Sequence, residues 1–462
     1  MNGVLRLWLA SGLSLGLGLI AFSPSLLGQA PEPATPKVER VRPLAPDPVA
    51  SAPGVFFFED LEAISDLKER FQDQGTDEGR FRTSDVDPFS GKKSIQQTYK
   101  PLSEFPEGAD PGSAGWVWRF FGDNPNGQPE PRGKYPTVVA RWYHKFEEGF
   151  SPRDGEGFPP KMARMRCFKE GAWEGVYTVL FWIGGGDGHL SIERHTRAPG
   201  AHREWSPNQE CQWNFSDPVA VGRWIHFELR VALGEGPRSD QIQAWADGTL
   251  VCDVVGDDLA AGYKEFLLNG MSWDCYWNGG SPVAQSRFYD DLTLSTEPIG
   301  PARTSANPVI VKSAFRPSVN SGRPEPVEGR GAEQGDRQQA WEVEVAEAVQ
   351  KPLVVAQTVD GVVTRYQPAE FEYTVVWKGT VAGAGNEVQV SRATGQFVGP
   401  LAGKDGLNPN TLHMVRVRQQ GGAGSWSPWS PWHAAFATTW AEGTAPDKRT
   451  PPRGYLLGHA AK

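Results

Sequence analysis

Two stretches of the chain alternate chemically capable side chains with apolar ones. In "VVARWYHKFEEGF", Arg141, Tyr143 and Lys145 share one side, and Ala140, Trp142, His144 and Phe146 share the other, as successive residues of a strand must. In "VGRWIHFELRVALGEGPRSDQIQAWADGTLV", Ile225, Phe227, Leu229, Val231 and Leu233 make an apolar side against Trp224, His226, Glu228 and Arg230. A polar turn follows, after which Gln241, Gln243 and Trp245 oppose Ile242, Ala244 and Ala246. Brought onto one concave surface, these polar sides make a cationic, aromatic cleft suited to a uronate sugar. β-Elimination beside a uronate carboxylate needs a neutralising cation and a Tyr, His or Lys base. Arg141, Tyr143 and His226 are therefore the candidate catalytic groups, and Lys145, Glu228, Arg230, Gln243 and Trp245 the candidate ligand-binding groups. Arg164 and Arg166 of "KMARMRCF" add charge if their side is the same one. The plainer alternative is a solvated sandwich face on which Tyr143 and Trp245 merely pack.

Other chemistries are missing their residues. The Glu-x-Asp-x-(x)-Glu strand that sets an acid and a nucleophile on one face does not occur, nor does His-Glu-x-x-His. The one Gly-x-Ser-x-Gly, "GLSLG" at Gly12 to Gly16, falls in an apolar leader. "WIGGGDGH" carries a single Asp and reads as a hairpin turn. It leaves a structural Ca²⁺ without a motif, and no cofactor or metal ligand set is expected.

The elements that must position these groups follow from composition. Arg6 precedes an apolar run from Leu7 to Phe22, short for a membrane span, and Gly28 and Ala30 suit a cleavage site, so residues 1–30 read as a signal peptide. The mature chain is then expected to be secreted or in the cell envelope, without a membrane span. The net charge of −9 argues against nucleic acid as a partner. Four cysteines, Cys167, Cys211, Cys252 and Cys275, favour two disulfides in an exported chain, with three pairings open. Abundant Gly, Pro and Trp argue for β structure. Residues 31–53 are Pro-rich and read as a disordered stalk, 54–300 as a large β domain, 301–340 as a low-complexity linker, 341–440 as a small β domain and 441–462 as a disordered tail. Within the linker, "RPEPVEGRGA" resembles the translated product of a dispersed bacterial genomic repeat.

The large domain's succession of strands and turns, from "GVFFFEDLEAISDLKERF" to "SRFYDDLTLSTEPIG", resembles the concanavalin A-like jelly rolls of lectins, laminin-G modules and polysaccharide lyases. The resemblance implies a two-sheet sandwich with a carbohydrate-binding concave face. In the small domain, "GLNPNTLHMVRVRQQ" resembles the strand-F region of a fibronectin type III domain, with His413 at the aromatic corner position. "SWSPWSPW" resembles the Trp-Ser-x-Trp-Ser box of cytokine-receptor fibronectin domains. Its period of three with Pro428 and Pro431 suits polyproline II, which sets Trp426, Trp429 and Trp432 on one side for Arg416 and Arg418 to stack between. A sugar- or protein-binding aromatic platform is the alternative. The fold class is thus all-β, a large jelly roll plus a small immunoglobulin-like sandwich.

Three function classes remain: an exported glycan-binding or surface-adhesion protein, a polysaccharide lyase acting on an acidic glycan, and a structural envelope protein. The partner expected is a polysaccharide or cell-surface glycan. Oligomeric state is left open.

Overall fold

The computed structural model describes residues 34–107, 115–122, 125, 133–151, 160–168, 173, 176–183, 189–197, 204–205, 209–215, 217, 219–236, 239–257, 264–277, 279–315, 337–359, 362–422 and 424–458. The signal peptide, the "GGGDG" turn and the repeat-like part of the linker lie outside them. The chain is all-β, and short 3₁₀ turns are the only helical elements among the described residues. None is long and apolar enough to cross a membrane.

A jelly-roll sandwich forms the first lobe. Its ten-stranded sheet runs Val355–Val359, Val362–Tyr366, Gln209–Asn214, His189–Arg197, Val176–Ile183, Lys161–Phe168, Gly270–Asp274, Trp116–Phe120, Asp73–Gly75, with Glu204–Trp205 beside His189–Arg197. The facing eight-stranded sheet runs Thr249–Asp257, Asp240–Ala246, Trp224–Ala232, Thr137–Phe146, Gln285–Ser295, Ser94–Tyr99, Phe81–Ser84, with Val55–Glu59 on Gln285–Ser295. The apolar sides of the alternating strands meet between them. Trp142 stands edge-on to Phe181 of the other sheet, ring centres 5.7 Å apart, and Phe227, Met165 and Trp273 fill the same core. Each such side chain contributes roughly 1.5–3 kcal/mol of hydrophobic stabilisation. No disulfide is found: Cys167, Cys211, Cys252 and Cys275 are packed in this core instead of bridged.

The second lobe is also a sandwich. A six-stranded sheet, Arg303–Thr304, His433–Thr438, Leu412–Gln420, Ala340–Gln350, Phe371–Ala382, Gly395–Phe397, faces a three-stranded one of Val38–Val41, Val309–Lys312 and Glu387–Gln389. Trp341, Trp377, Val38 and Ile310 are among its core residues.

The expected small domain 341–440 is not self-contained, because its Val355–Val359 and Val362–Tyr366 join the first lobe's ten-stranded sheet. Three further expected boundaries change. The Pro-rich segment is no stalk from Ala34 onward: Val38–Val41 is a strand of the second lobe and Asp47 is buried against the first. The linker contributes two strands, Arg303–Thr304 and Val309–Lys312. The tail packs on the first lobe, with Tyr455 buried against Trp245. All three segments are held by partners distant in sequence, which their composition does not advertise.

Candidate carbohydrate cleft

On Lys161–Phe168, the side chains of Ala163, Met165 and Cys167 enter the core, so Arg164 and Arg166 project from the opposite side of the ten-stranded sheet. The same rule turns Trp116 and Trp118 outward around buried Val117, and Ser272 and Asp274 outward around Met271 and Trp273. Register sets them side by side. Ser272 lies between Trp118 and Arg164, Asp274 lies opposite Trp116, and Asp73 lies opposite Trp118. Close approach requires glycine at two of these places. A Cβ on Gly75 would stand 2.6 Å from the Trp116 ring, and one on Gly270 would stand 2.8 Å from Phe168.

The outcome is an open cleft of about 610 Å³ walled by Trp116, Trp118, Trp173 and Tyr276 and floored by Lys161, Arg164, Arg166, Ser272, Asp73 and Asp274. Trp118 stacks parallel to Phe120 at 5.7 Å and meets Trp173 edge-on at 6.0 Å. The Arg166 guanidinium lies 5.0 Å from the centre of the Trp118 ring, and Lys161 Nζ lies 4.0 Å from that of Tyr276. Asp274, 3% exposed, ion-pairs with Arg164 and accepts the Tyr276 N–H at 2.7 Å. Trp116 Nε1 donates to Asp73 at 3.0 Å. Ser272 Oγ is buried without a hydrogen-bond partner. Indole faces accept the C–H face of a sugar ring, and cations beside them select its carboxylates or sulfates. No histidine lines the cleft among the described residues.

The residues singled out from sequence lie elsewhere, on the outer side of the eight-stranded sheet. The strand pairing does bring them together: Tyr143 faces His226, Arg141 faces Glu228, Arg230 faces Gln243, and Glu228 faces Trp245. That side is sealed, however, by the N-terminal segment, the second lobe and the tail. Arg141 is wholly buried and donates to Asp47 at 2.9 Å and to Thr293 at 3.1 Å. The Tyr143 hydroxyl accepts the Ala302 N–H at 2.7 Å and its ring stacks 3.6 Å from Phe89. Burial pushes its phenol far up and pushes His226 down, with Glu228, 3.7 Å away, pulling His226 back toward the charged form.

Glu228 accepts the N–H groups of Ile299 and Gly300 at 3.2 and 2.7 Å. Arg230 donates to Gln241 and Gln243 at 2.6 and 2.9 Å. Gln243 and Trp245 donate to the tail carbonyls of Leu457 and Leu456 at 2.6 and 2.8 Å. Lys145 reaches Glu39 and Asp87. The expected concave site is therefore an interface, its polar groups spent on holding two lobes together. Sequence reasoning noticed Arg164 and Arg166 but passed over Lys161, Trp116, Trp118, Asp73, Asp274 and Tyr276. The alternation in "WVWRF" and "KMARMRCF" was the available signal.

In the second lobe, Arg416 lies 4.8 Å from the Trp429 ring and 4.7 Å from Trp432, and Arg418 lies 4.8 Å from both Trp426 and Trp429. Tyr373 continues the stack 5.0 Å beyond Trp432, and Phe371 lies 5.5 Å beyond Tyr373. The interleaved serines have their own task. Ser427 Oγ and Ser430 Oγ accept the N–H groups of Gln419 and Val417, both at 3.0 Å, zipping the tryptophan segment to strand Leu412–Gln420. Trp429 has its ring between two guanidiniums, which leaves no face for a sugar. His413, at the corner position, stacks on Phe436 at 5.1 Å, and neither ring nitrogen makes a hydrogen bond of good geometry. Burial pushes it down to about 3.

No family model matches the chain, and no curated protein matches it. Among solved structures, an alginate lyase from a Chlorella virus is 12% identical with a TM-score of 0.36, covering 52% of this chain and 99% of that one. An alginate lyase mutant in complex with alginate tetrasaccharide is 14% identical with a TM-score of 0.34, covering 53% and 98%. Basic winged bean lectin with Tn-antigen is 10% identical with a TM-score of 0.30, covering 52% and 96%. Such scores transfer no residue roles, and the cleft stands on its own geometry.

Proposed function

We propose that this chain is an exported glycan-binding protein whose ten-stranded sheet takes an acidic polysaccharide. The observation that carries the reading is the meeting of Trp116, Trp118, Trp173 and Tyr276 with Lys161, Arg164 and Arg166 in one open cleft. Export rests on the apolar run from Leu7 to Phe22. The second lobe is read as a fibronectin type III-like spacer, supported by its two packed sheets and its Trp-Ser segment. Calorimetric titration with polygalacturonate or alginate, beside neutral laminarin, tests the reading: the acidic glycans bind, more weakly as salt rises, and Trp118→Ala or Arg166→Ala lowers affinity about tenfold or more. Equal affinity for laminarin, or no binding by any glycan, would overturn it.

Lyase activity in the same cleft is the second reading, favoured by a tyrosine, Tyr276, lining it beside the cations Lys161, Arg164 and Arg166. An absorbance rise near 235 nm on acidic glycans, abolished by Tyr276→Phe, would establish it.

A further inference from the structure

Asp73 stands apart from the other charges of the cleft. It lies half-buried on the terminal strand of the ten-stranded sheet, and strand pairing sets it in one row with Trp118, Ser272 and Arg164. Residues directly opposite one another in antiparallel strands share a face, so the whole row faces the cleft. With neighbouring strands about 4.8 Å apart, Asp73 is roughly 14 Å from the strand that carries Lys161, Arg164 and Arg166. An oligosaccharide lying across the strands spans that distance, and a single sugar ring does not.

The two ends differ in how their charges are met. At the cationic end, Arg164 ion-pairs with Asp274, while Lys161 and Arg166 lie over the rings of Tyr276 and Trp118. At the other end, Asp73 accepts one side-chain hydrogen bond, from Trp116 Nε1 at 3.0 Å, and no cation among the described residues pairs with it. The half-buried Trp116 ring leans over Gly75 of the same terminal strand, beside the carboxylate. A carboxylate facing an acidic glycan repels it. A carboxylate beside an indole attracts an ammonium by its charge, and the ring attracts it through its quadrupole.

We propose that the cleft selects a zwitterionic glycan, in which an acidic sugar is joined to one bearing a free amine. The ammonium meets Asp73 and Trp116, and the acidic group meets Lys161 and Arg166. This assignment rests on the acidic-glycan reading of the same cleft and makes Asp73 the residue that sets the preference for an amine.

The probe is an oligosaccharide of alternating glucuronate and glucosamine, compared in its free-amine and N-acetylated forms, with alginate as an acid that has no amine. Isothermal titration is run at about pH 6, where the amine is protonated. The free-amine form is expected to bind at least tenfold tighter than the N-acetylated form. Asp73→Asn keeps an oxygen to accept the Trp116 N–H and removes only the charge. It is expected to lower affinity for the free-amine form at least tenfold and to raise affinity for the N-acetylated form about twofold or more. Equal affinity of the native chain for the two forms, parallel loss of both in Asp73→Asn, or binding of alginate but of neither form would overturn the assignment and leave the acidic-glycan reading standing. Binding of none of the three would remove both.

Discussion

The backbone N–H of Val38 donates to Nε2 of His433 at 2.7 Å, joining residues 395 positions apart. Pro431 O lies 2.7 Å from Nδ1, so the proton sits on Nδ1 and Nε2 is left to accept. Burial pushes the imidazole down to about 3, which keeps it neutral at ordinary pH. His433→Ala strands a buried N–H, and a loss of about 1–3 kcal/mol is expected in denaturant unfolding. An unchanged midpoint and slope would show that the bond contributes nothing.

Arg141 and Asp47 separate the two candidate sites experimentally. Arg141→Ala leaves a buried carboxylate uncompensated, and about 3–5 kcal/mol of stability is expected to go. Glycan affinity per folded molecule should not change, whereas Arg166→Ala should lower affinity with little loss of stability. Weakened binding by folded Arg141→Ala protein would return the site to the lobe interface.

Within the ladder, Trp429 has two guanidinium neighbours and Trp426 one. With each contact worth about 0.5–1 kcal/mol at a half-exposed site, Trp429→Ala is expected to destabilise by roughly 2 kcal/mol once lost packing is added, and Trp426→Ala by less. Ser430→Ala removes the acceptor for the Val417 N–H and should lower stability by about 1 kcal/mol. Chemical denaturation ranks the three, and equal effects of the two tryptophans would argue against stacking as the source.

Asp290 and Asp291 are adjacent, buried carboxylates on a bulge of strand Gln285–Ser295, Asp291 with φ +50°. Burial pushes Asp291 up to about 7, against the pull of Arg141, and raises Asp290 as well, with Asp291 adding repulsion. An unfolded Asp titrates near 3.8, so between there and about 7 the native chain holds more protons than the unfolded one. Stability contributed by this pair is therefore full below about pH 4 and falls as pH rises to about 7. Asn tolerates the left-handed backbone, so Asp291→Asn is expected to flatten that slope and raise the melting temperature above pH 7. A slope unchanged in melting curves from pH 4 to 8 would count against it.

The alternation through Trp224–Ala232 and Thr137–Phe146 marked both strands and the side each turns to the core. What covers the other side was not legible there, because a solvated polar row and a buried, paired one have the same residue types. Arg141 finds Asp47 in a segment 94 residues away whose prolines suggest a stalk. Arg164 and Arg166 were visible, but their companions Trp118, Ser272 and Asp274 arrive from strands separated in sequence and are joined only by register. The Arg–Trp stack was readable because its geometry is local, a threefold turn beside a twofold strand.

Strand Val38–Val41 also sets the path of mechanical load. Hydrogen-bonded to Val309–Lys312 and His433, it hands any tension arriving from the N-terminal side to the second lobe. If the molecule is tethered by that end while its cleft holds a polymer, this four-residue strand is the first element to carry the force. Its peeling would not release the tether, because the same backbone continues into the first lobe, where Asp47 binds Arg141 and Val55–Glu59 pairs with Gln285–Ser295.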